Sequence, residues 1–200
     1  MINSIFAKFG LLTIENFLEA DLCSRLCAEG RIGASFQATV SRKGMATLDE
    51  DVRRTKAARI GESAIGIVRS RLLDLKPSLE AHFKASLTRC SEPHILIYKP
   101  GDFFHPHRDN GDDPMYGEDI VSRQVSVVIF LNDESKESKP GCFGGGALAF
   151  YGLLDDPRGK AIGFPLAGAQ GLLVAFPSDR VHQVTPVTHG ERFTIVTWFH

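Results

Sequence analysis

The chain has 200 residues, 43% of them hydrophobic and 24% charged, a globular composition with enough length to close a packed core. Its net charge of -1 lacks the clustered positive field that a generic nucleic-acid or membrane-surface binder needs, so neither partner is expected. No stretch reaches the apolar length of a membrane span, and residues 1–10 carry no secretory pattern, which leaves a cytoplasmic location as the expectation.

Leu18, Leu22 and Leu26 recur every fourth residue and form one stripe of a helix, with Gly30 as its expected stop. Cys23 and Cys27 share a face of that helix. With Cys90 and Cys142 they form no CxxC pair and no zinc-finger spacing, so all four are expected as free thiols. Residues 31–56 are mixed and charged, with a short strand expected at 36–40. The basic runs Arg42-Lys43 and Arg53-Arg54-Thr55-Lys56 read as solvated surface or loop. A second helix starts at Glu62, with Ile65, Val68, Leu72 and Leu75 on one side. Pro77 should break or kink it, and Ser78 could cap a short continuation towards Phe83.

From Pro93 the period changes. Short runs rich in Val, Ile and Phe at 94–98, 125–131, 147–151, 161–165, 172–176, 183–187 and 193–199 alternate with Gly, Pro and Asp. Many short strands at close spacing predict a sandwich or barrel, with the front helices outside one sheet. Residues 110–122 and 133–144 lack a regular pattern and are expected to be pocket-lining loops. Gly144-Gly145-Gly146 lacks the Lys and the flanking helix of a phosphate loop, and reads as a bulge or a close backbone approach.

Three residues carry metal-ligand chemistry. His107 and Asp109 are two apart, so in an extended segment both side chains face one way. His182 follows the apolar run 172–176 and must return to them through a β fold. Two imidazoles and one carboxylate leave three positions of a six-coordinate ion open, which suits Fe(II) that must hold a co-substrate and O2. Zinc takes the same donors and stays a rival. Arg192 begins the last apolar strand. A guanidinium directed into a barrel needs an anion, either a dicarboxylate co-substrate or a protein carboxylate such as Glu191 or Asp179. His105 is expected at the pocket rim or surface, and His189 in an exposed turn. His82, His94 and His200 show no partner pattern.

Several motifs together resemble the 2-oxoglutarate/Fe(II)-dependent dioxygenases, in particular the prolyl 4-hydroxylase-like, PKHD-type branch. They are Tyr98-Lys99-Pro100-Gly101-Asp102-Phe103-Phe104, His107-Arg108-Asp109-Asn110, Val128-Ile129-Phe130-Leu131-Asn132-Asp133, Gly145-Gly146-Ala147-Leu148, Gly171-Leu172-Leu173-Val174-Ala175-Phe176-Pro177-Ser178, His182-Gln183-Val184-Thr185-Pro186-Val187 and Gly190-Glu191-Arg192. The likeness runs from about residue 94 to the end, and residues 17–26 look like the branch's opening helix. It implies a mainly β fold with α: a double-stranded β-helix, or jelly-roll, core with the N-terminal helices packed on one sheet. The whole of 1–200 would be a single domain, with 1–92 mostly helical support and 93–200 the catalytic core. It also implies Fe(2+) held by His107, Asp109 and His182, 2-oxoglutarate held at its distal carboxylate by Arg192, O2 as oxidant and ascorbate as reductant. Tyr98 matches a tyrosine whose hydroxyl assists that pocket, Ser126 a small hydroxyl residue near the co-substrate, and Arg123 a position that faces substrate. Phe130 replaces a common Tyr, and Ala147 a frequent acidic residue.

The implied reaction hydroxylates a C–H bond and releases succinate and CO2. The substrate would be a prolyl or other amino-acid residue, a free amino acid or a secondary metabolite. A cupin-like metal enzyme without 2-oxoglutarate and a non-catalytic ligand-binding β-sandwich are the other readings.

Overall fold

The computed structural model describes residues 4–42, 45–111, 117–153 and 161–200. Two antiparallel sheets form its centre. In spatial order the larger contains Leu12–Ile14, Leu173–Pro177, Val125–Phe130, Arg192–Phe199, His94–Tyr98, Lys56–Arg59 and Ser35–Gln37. The smaller contains Phe164–Leu166, Leu148–Phe150, His182–Val184, Phe103–His107 and Arg53–Arg54. This is the architecture of a double-stranded β-helix, with strands that alternate between sheets along the chain.

Strand alternation divides the large sheet into two faces. On one face Ile95, Ile129, Leu173, Phe193 and Ile195 pack in one core with Leu22 and Leu26 of the Ala20–Ile32 helix and with Val68, Leu72 and Leu79 of the Glu62–Phe83 helix. On the other face Leu96, Tyr98, Val128, Phe130, Val174, Phe176 and Val196 pack with Leu148, Phe150 and Val184 of the small sheet. Every residue of Val125–Phe130 is buried. The unbroken apolar run at that point in the sequence is therefore a strand covered on both sides.

Three expectations change. Gly30 does not stop the first helix, which runs to Ile32. A Cβ at Gly30 would lie 3.4 Å from both Ile95 and Phe193, so the missing side chain lets the helix approach the sheet. Pro77 does not break the second helix, which is continuous over Glu62–Phe83. The carbonyl left without its N–H donor is that of Leu73. Both residues are exposed, so water can satisfy it.

The front of the chain is also less helical than its periodicity suggests. It adds strands to both sheets, each of two to four residues and too short to leave a periodic signal. Residues 110–122 hold a short helix, Glu118–Val121, and residues 112–116 of that expected loop lie outside the described residues. Lys43 of the Arg42-Lys43 run also lies outside them.

Because Pro77 occupies an exposed helix interior, Pro77→Ala should raise stability by about 1–3 kcal/mol, read as a higher urea midpoint at unchanged slope. A lower midpoint would contradict a continuous helix through that position.

Candidate metal and co-substrate site

The strand Phe103–His107 pairs with His182–Val184 and places His107 opposite His182, with an irregular register beyond that pair. Asp109 lies past the end of the strand, so simple strand alternation does not aim it as expected. Its backbone N–H donates to the Ser178 carbonyl at 2.9 Å, and the next N–H, that of Asn110, reaches the same carbonyl at 3.2 Å. Ser178 follows Leu173–Pro177, so the large sheet sets the position of the carboxylate. His107 Nε2 is 3.5 Å from Asp109 Oδ1, and His182 Nε2 is 3.6 Å from Oδ2. The three potential ligand atoms lie within 4.8 Å of one another, the one such cluster that could hold a metal ion among the described residues.

Both imidazoles are held the same way. His107 Nδ1 is 2.8 Å from the His105 carbonyl and His182 Nδ1 is 2.9 Å from the Arg180 carbonyl. A carbonyl can only accept, so each Nδ1 carries the proton and each Nε2 presents its lone pair to the centre. Phe104 stacks on His107 with ring centroids 3.5 Å apart, and Phe176 meets His182 edge-on at 4.7 Å. Burial pushes His182 down to about 4, with His107 adding to the effect. Burial would raise the Asp109 carboxyl, but the adjacent His182 and His107 side chains and the hydroxyl of Ser126 hold it well below the usual carboxylate range. Ser126 is buried, and its Oγ is 3.0 Å from Ser178 Oγ. It stands beside Asp109 and is not among the residues that line the cavity described below.

Arg192 sits opposite Tyr98 in the sheet register and is fully buried. Its guanidinium carbon lies 5.1, 4.9 and 6.0 Å from the ring centroids of Tyr98, Phe130 and Phe143. Nη1 donates to Thr194 Oγ1 at 3.2 Å, while Nε and Nη2 are buried without a partner. The carboxylate of Glu191 is engaged elsewhere, with Arg31 at 2.9 Å and Lys99 at 3.8 Å. Burial pulls the Arg192 guanidinium down to about 10, which still leaves it charged. Gly146 makes room for it: φ is +60° there, and a Cβ would lie 2.9 Å from Arg192 Cδ. The Gly144–Gly145 strand is bulged against Val187–His189, as the glycine run predicts.

A cavity of about 840 Å³ joins these groups, lined by His107, Asp109 and His182 and also by Tyr98, Arg192 and Thr194. That volume is ample for a small-molecule site. Arg123 also lines it. Its guanidinium stacks 3.8 Å above the Trp198 ring, and Nη1 donates to the Asp109 carbonyl at 3.2 Å.

Two further lining residues were missed. Arg53 belongs to a run that reads as solvated, yet it lines the cavity and stacks over Phe104 at 4.6 Å. His94 lines it too and is pushed down to about 4, mainly by burial. The two-residue strand of Arg53 carries no periodic signal. The alternation of His94 with Leu96 and Tyr98 could have placed that histidine on the inner face.

None of the described residues of 133–144 lines the cavity, because Asn132 fastens that loop from below. Its side-chain amide donates to the carbonyls of Gly141 and Glu191 at 2.9 and 2.8 Å, and its oxygen accepts the Phe193 N–H at 3.0 Å. His105 is exposed, as expected, whereas His189 is half-buried against Gly144. His200 is buried with partners the sequence did not reveal, Ser91 at 2.7 Å and Ser122 at 2.8 Å.

The sequence profile of the 2OG-Fe(II) oxygenase superfamily matches residues 93–200. A PKHD-type hydroxylase of Shewanella sp. (strain MR-4) is 30% identical over 183 residues, covering 92% of this chain and 71% of that protein. A PKHD-type hydroxylase of Xanthomonas campestris pv. campestris (strain 8004) is 31% identical over 176 residues, covering 86% of this chain and 66% of the relative. Among solved structures, a prolyl-4-hydroxylase of Pseudomonas putida superposes with a TM-score of 0.73 at 25% identity, covering 96% of this chain and 92% of that one. A Trichoplax adhaerens prolyl hydroxylase, solved with a hypoxia inducible factor oxygen degradation domain peptide fragment, shares the fold, with a TM-score of 0.71 at 20% identity.

A buried cation with orphaned donors destabilises the ligand-free protein. Arg192→Met should therefore raise its stability by about 1–4 kcal/mol, measured by chemical denaturation without added 2-oxoglutarate. A clear loss of stability would mean that the cation is satisfied by a group within the protein.

Proposed function

The chain belongs to the 2OG-Fe(II) oxygenase superfamily, and so to oxygenases that use Fe(II), 2-oxoglutarate and O2; from that premise we propose that it hydroxylates a C–H bond of a substrate, possessing for this purpose an iron centre at His107, Asp109 and His182. The donor set fits the metal. Two neutral imidazoles and one carboxylate give Fe(II) three protein ligands and leave three positions for a bidentate co-substrate and O2. When bound, Fe(II) with 2-oxoglutarate supplies O2 activation coupled to oxidative decarboxylation, which forms succinate and CO2 and leaves a hydroxyl on the substrate.

The observation that carries the co-substrate reading is Arg192. Its Nε and Nη2 are buried and unpartnered beside the same cavity as the triad, and a distal carboxylate is the group a guanidinium edge receives through two hydrogen bonds. A cupin-like enzyme without 2-oxoglutarate gives this cation no counter-ion. In this reading Tyr98 contributes its hydroxyl to the co-substrate pocket. Phe130 offers only a ring face to the guanidinium. The backbone carbonyls that hold both Nδ1 protons keep the imidazoles aimed. Ser126 and Ser178 hold the Asp109 segment, and Arg123 steadies its carbonyl from the substrate side.

The solved structures it superposes on include prolyl hydroxylases, so a prolyl or other amino-acid residue is the proposed substrate, with a free amino acid or secondary metabolite as the second reading. Ascorbate is the proposed reductant and the cytoplasm the proposed setting. No helix among the described residues is long and apolar enough to cross a membrane.

Purified protein with Fe(II), ascorbate and 2-oxoglutarate should release succinate, faster with a true substrate. Asp109→Ala and His182→Ala should abolish release while the far-UV circular dichroism is retained. Arg192→Ala should weaken 2-oxoglutarate by roughly 30-fold or more and leave metal affinity unchanged. Unaltered 2-oxoglutarate affinity in Arg192→Ala would remove the central support of this reading.

A further inference from the structure

The metal and co-substrate account for one end of the cavity. They do not account for three other arginines that line it, Arg53, Arg108 and Arg123, of which Arg108 is exposed and the other two pack on aromatic rings. Arg53 lies over the Phe104 ring, and Nη1 donates to the Thr39 carbonyl at 3.0 Å. Its Nε is buried and unpartnered. Arg123 lies over the Trp198 ring and donates through Nη1 to the Asp109 carbonyl, while its Nε is also buried and unpartnered. Among the described residues Arg123 pairs with the Asp119 carboxylate, at 3.4 Å from Nη2, and Asp119 sits closer to Arg89, at 2.8 Å. One carboxylate is thus divided between two arginines.

His94 shows that both cations act on a single region. Its imidazole lines the cavity with its ring centroid 5.8 Å from that of Trp198. After burial, the causes that hold it neutral include the charges of Arg53 and Arg123. Arg53 and Arg123, from separate elements, thus line the same cavity as His94, each with a buried donor that lacks a partner. On the reading above, iron and co-substrate leave this excess untouched. The two charges of Fe(II) and the one of Arg192 are offset by Asp109 and by the two carboxylates of 2-oxoglutarate. An orphaned N–H beside a cavity costs stability until an acceptor meets it, and a guanidinium edge favours a carboxylate above other acceptors.

We propose that the substrate carries a carboxylate, received between Arg53 and Arg123 with His94 beside it, while its apolar part rests on Trp198. This rests on the assignment of the cavity as the hydroxylation site and specifies the class of substrate. The carboxylate could be the substrate's own α-carboxylate or the acidic side chain of a peptide. Arg53 and His94 act as specificity-determining residues and take no part in the oxidation.

The single tryptophan of the chain is Trp198, so its fluorescence reports occupancy of this wall without turnover. The protein is held without O2, with Fe(II) and saturating 2-oxoglutarate, and titrated with N-acetyl-L-proline, with N-acetyl-L-prolinamide and with a blocked prolyl-aspartyl dipeptide amide. At least one carboxylate-bearing probe should bind about tenfold or more tightly than the prolinamide. The better of the two identifies the source of the carboxylate. In Arg53→Gln that preference should fall towards unity, with partial recovery in Arg53→Lys, while the visible absorption of the iron–2-oxoglutarate complex is unchanged. Equal or tighter binding of the prolinamide, a preference that survives Arg53→Gln, or no fluorescence response to any probe would overturn the proposal. Failure of the unsubstituted protein to form the iron–2-oxoglutarate absorption at all would sink the underlying reading, and this inference with it.

Discussion

The buried guanidinium of Arg192 is the constraint around which the inner end of this cavity is arranged. A cation with two orphaned donors in an apolar interior is an expensive feature, and the surrounding residues are chosen to hold it in place without neutralising it. Tyr98, Phe130 and Phe143 present rings to it, Thr194 accepts one hydrogen bond, and no carboxylate among the described residues forms an ion pair with it. Glu191, its neighbour in sequence, turns outward to Arg31 and Lys99. Asn132 locks the start of the same strand through the Glu191 carbonyl and the Phe193 N–H. A site that is rigid and deficient in anions before ligand arrives loses little to reorganisation when a carboxylate enters.

The two faces of the large sheet explain how the fold tolerates this. Along Arg192–Phe199 the residues Phe193, Ile195 and Phe199 pack towards the helices, while Arg192, Thr194, Val196 and Trp198 line the cavity. One strand thus carries structural burial on alternate positions and ligand chemistry on the others. The helices Ala20–Ile32 and Glu62–Phe83 have no residue in the cavity lining. They cover the outer face, and the burial they supply can offset the cost of the inner one.

Much of this was legible in the sequence because the relevant elements are long or chemically unusual. The strands from residue 94 onward announce themselves through β-branched and aromatic runs. His107, Asp109, His182 and Arg192 stand out as ionisable residues among apolar ones, and the structure brings all four to one cavity. What escaped has physical reasons. Asp109 depends on the Ser178 carbonyl from a distant strand, which local alternation cannot foresee. Gly30 and Pro77 read as helix punctuation, but tertiary packing and an exposed carbonyl override local propensity. The contact of Ser126 with Asp109 joins two strands far apart in the chain and has no local signature. Arg53 belongs to a run that looks like solvated surface, since a strand of two residues has no period to detect.

That last miss locates the division between chemistry and selectivity. The superfamily profile begins at residue 93, and every candidate metal and co-substrate residue falls within it. The cavity wall built by Phe36, Thr39, Ala46, Val52 and Arg53 lies outside it. Shared chemistry requires three donors and a cation at fixed separations, which a double-stranded β-helix supplies through strand register. Selectivity needs only that the far wall match one substrate, and short strands tied to the sheet edges can vary there without disturbing that register. The backbone of Arg53 pairs with Phe104, whose ring stacks on His107, and the Val52 carbonyl accepts the N–H of His105, whose own carbonyl holds His107 Nδ1. A substrate received at Arg53, as proposed, would thereby be referenced to the same strand that carries the proposed metal ligand, which ties a wall outside the profile to the chemistry within it.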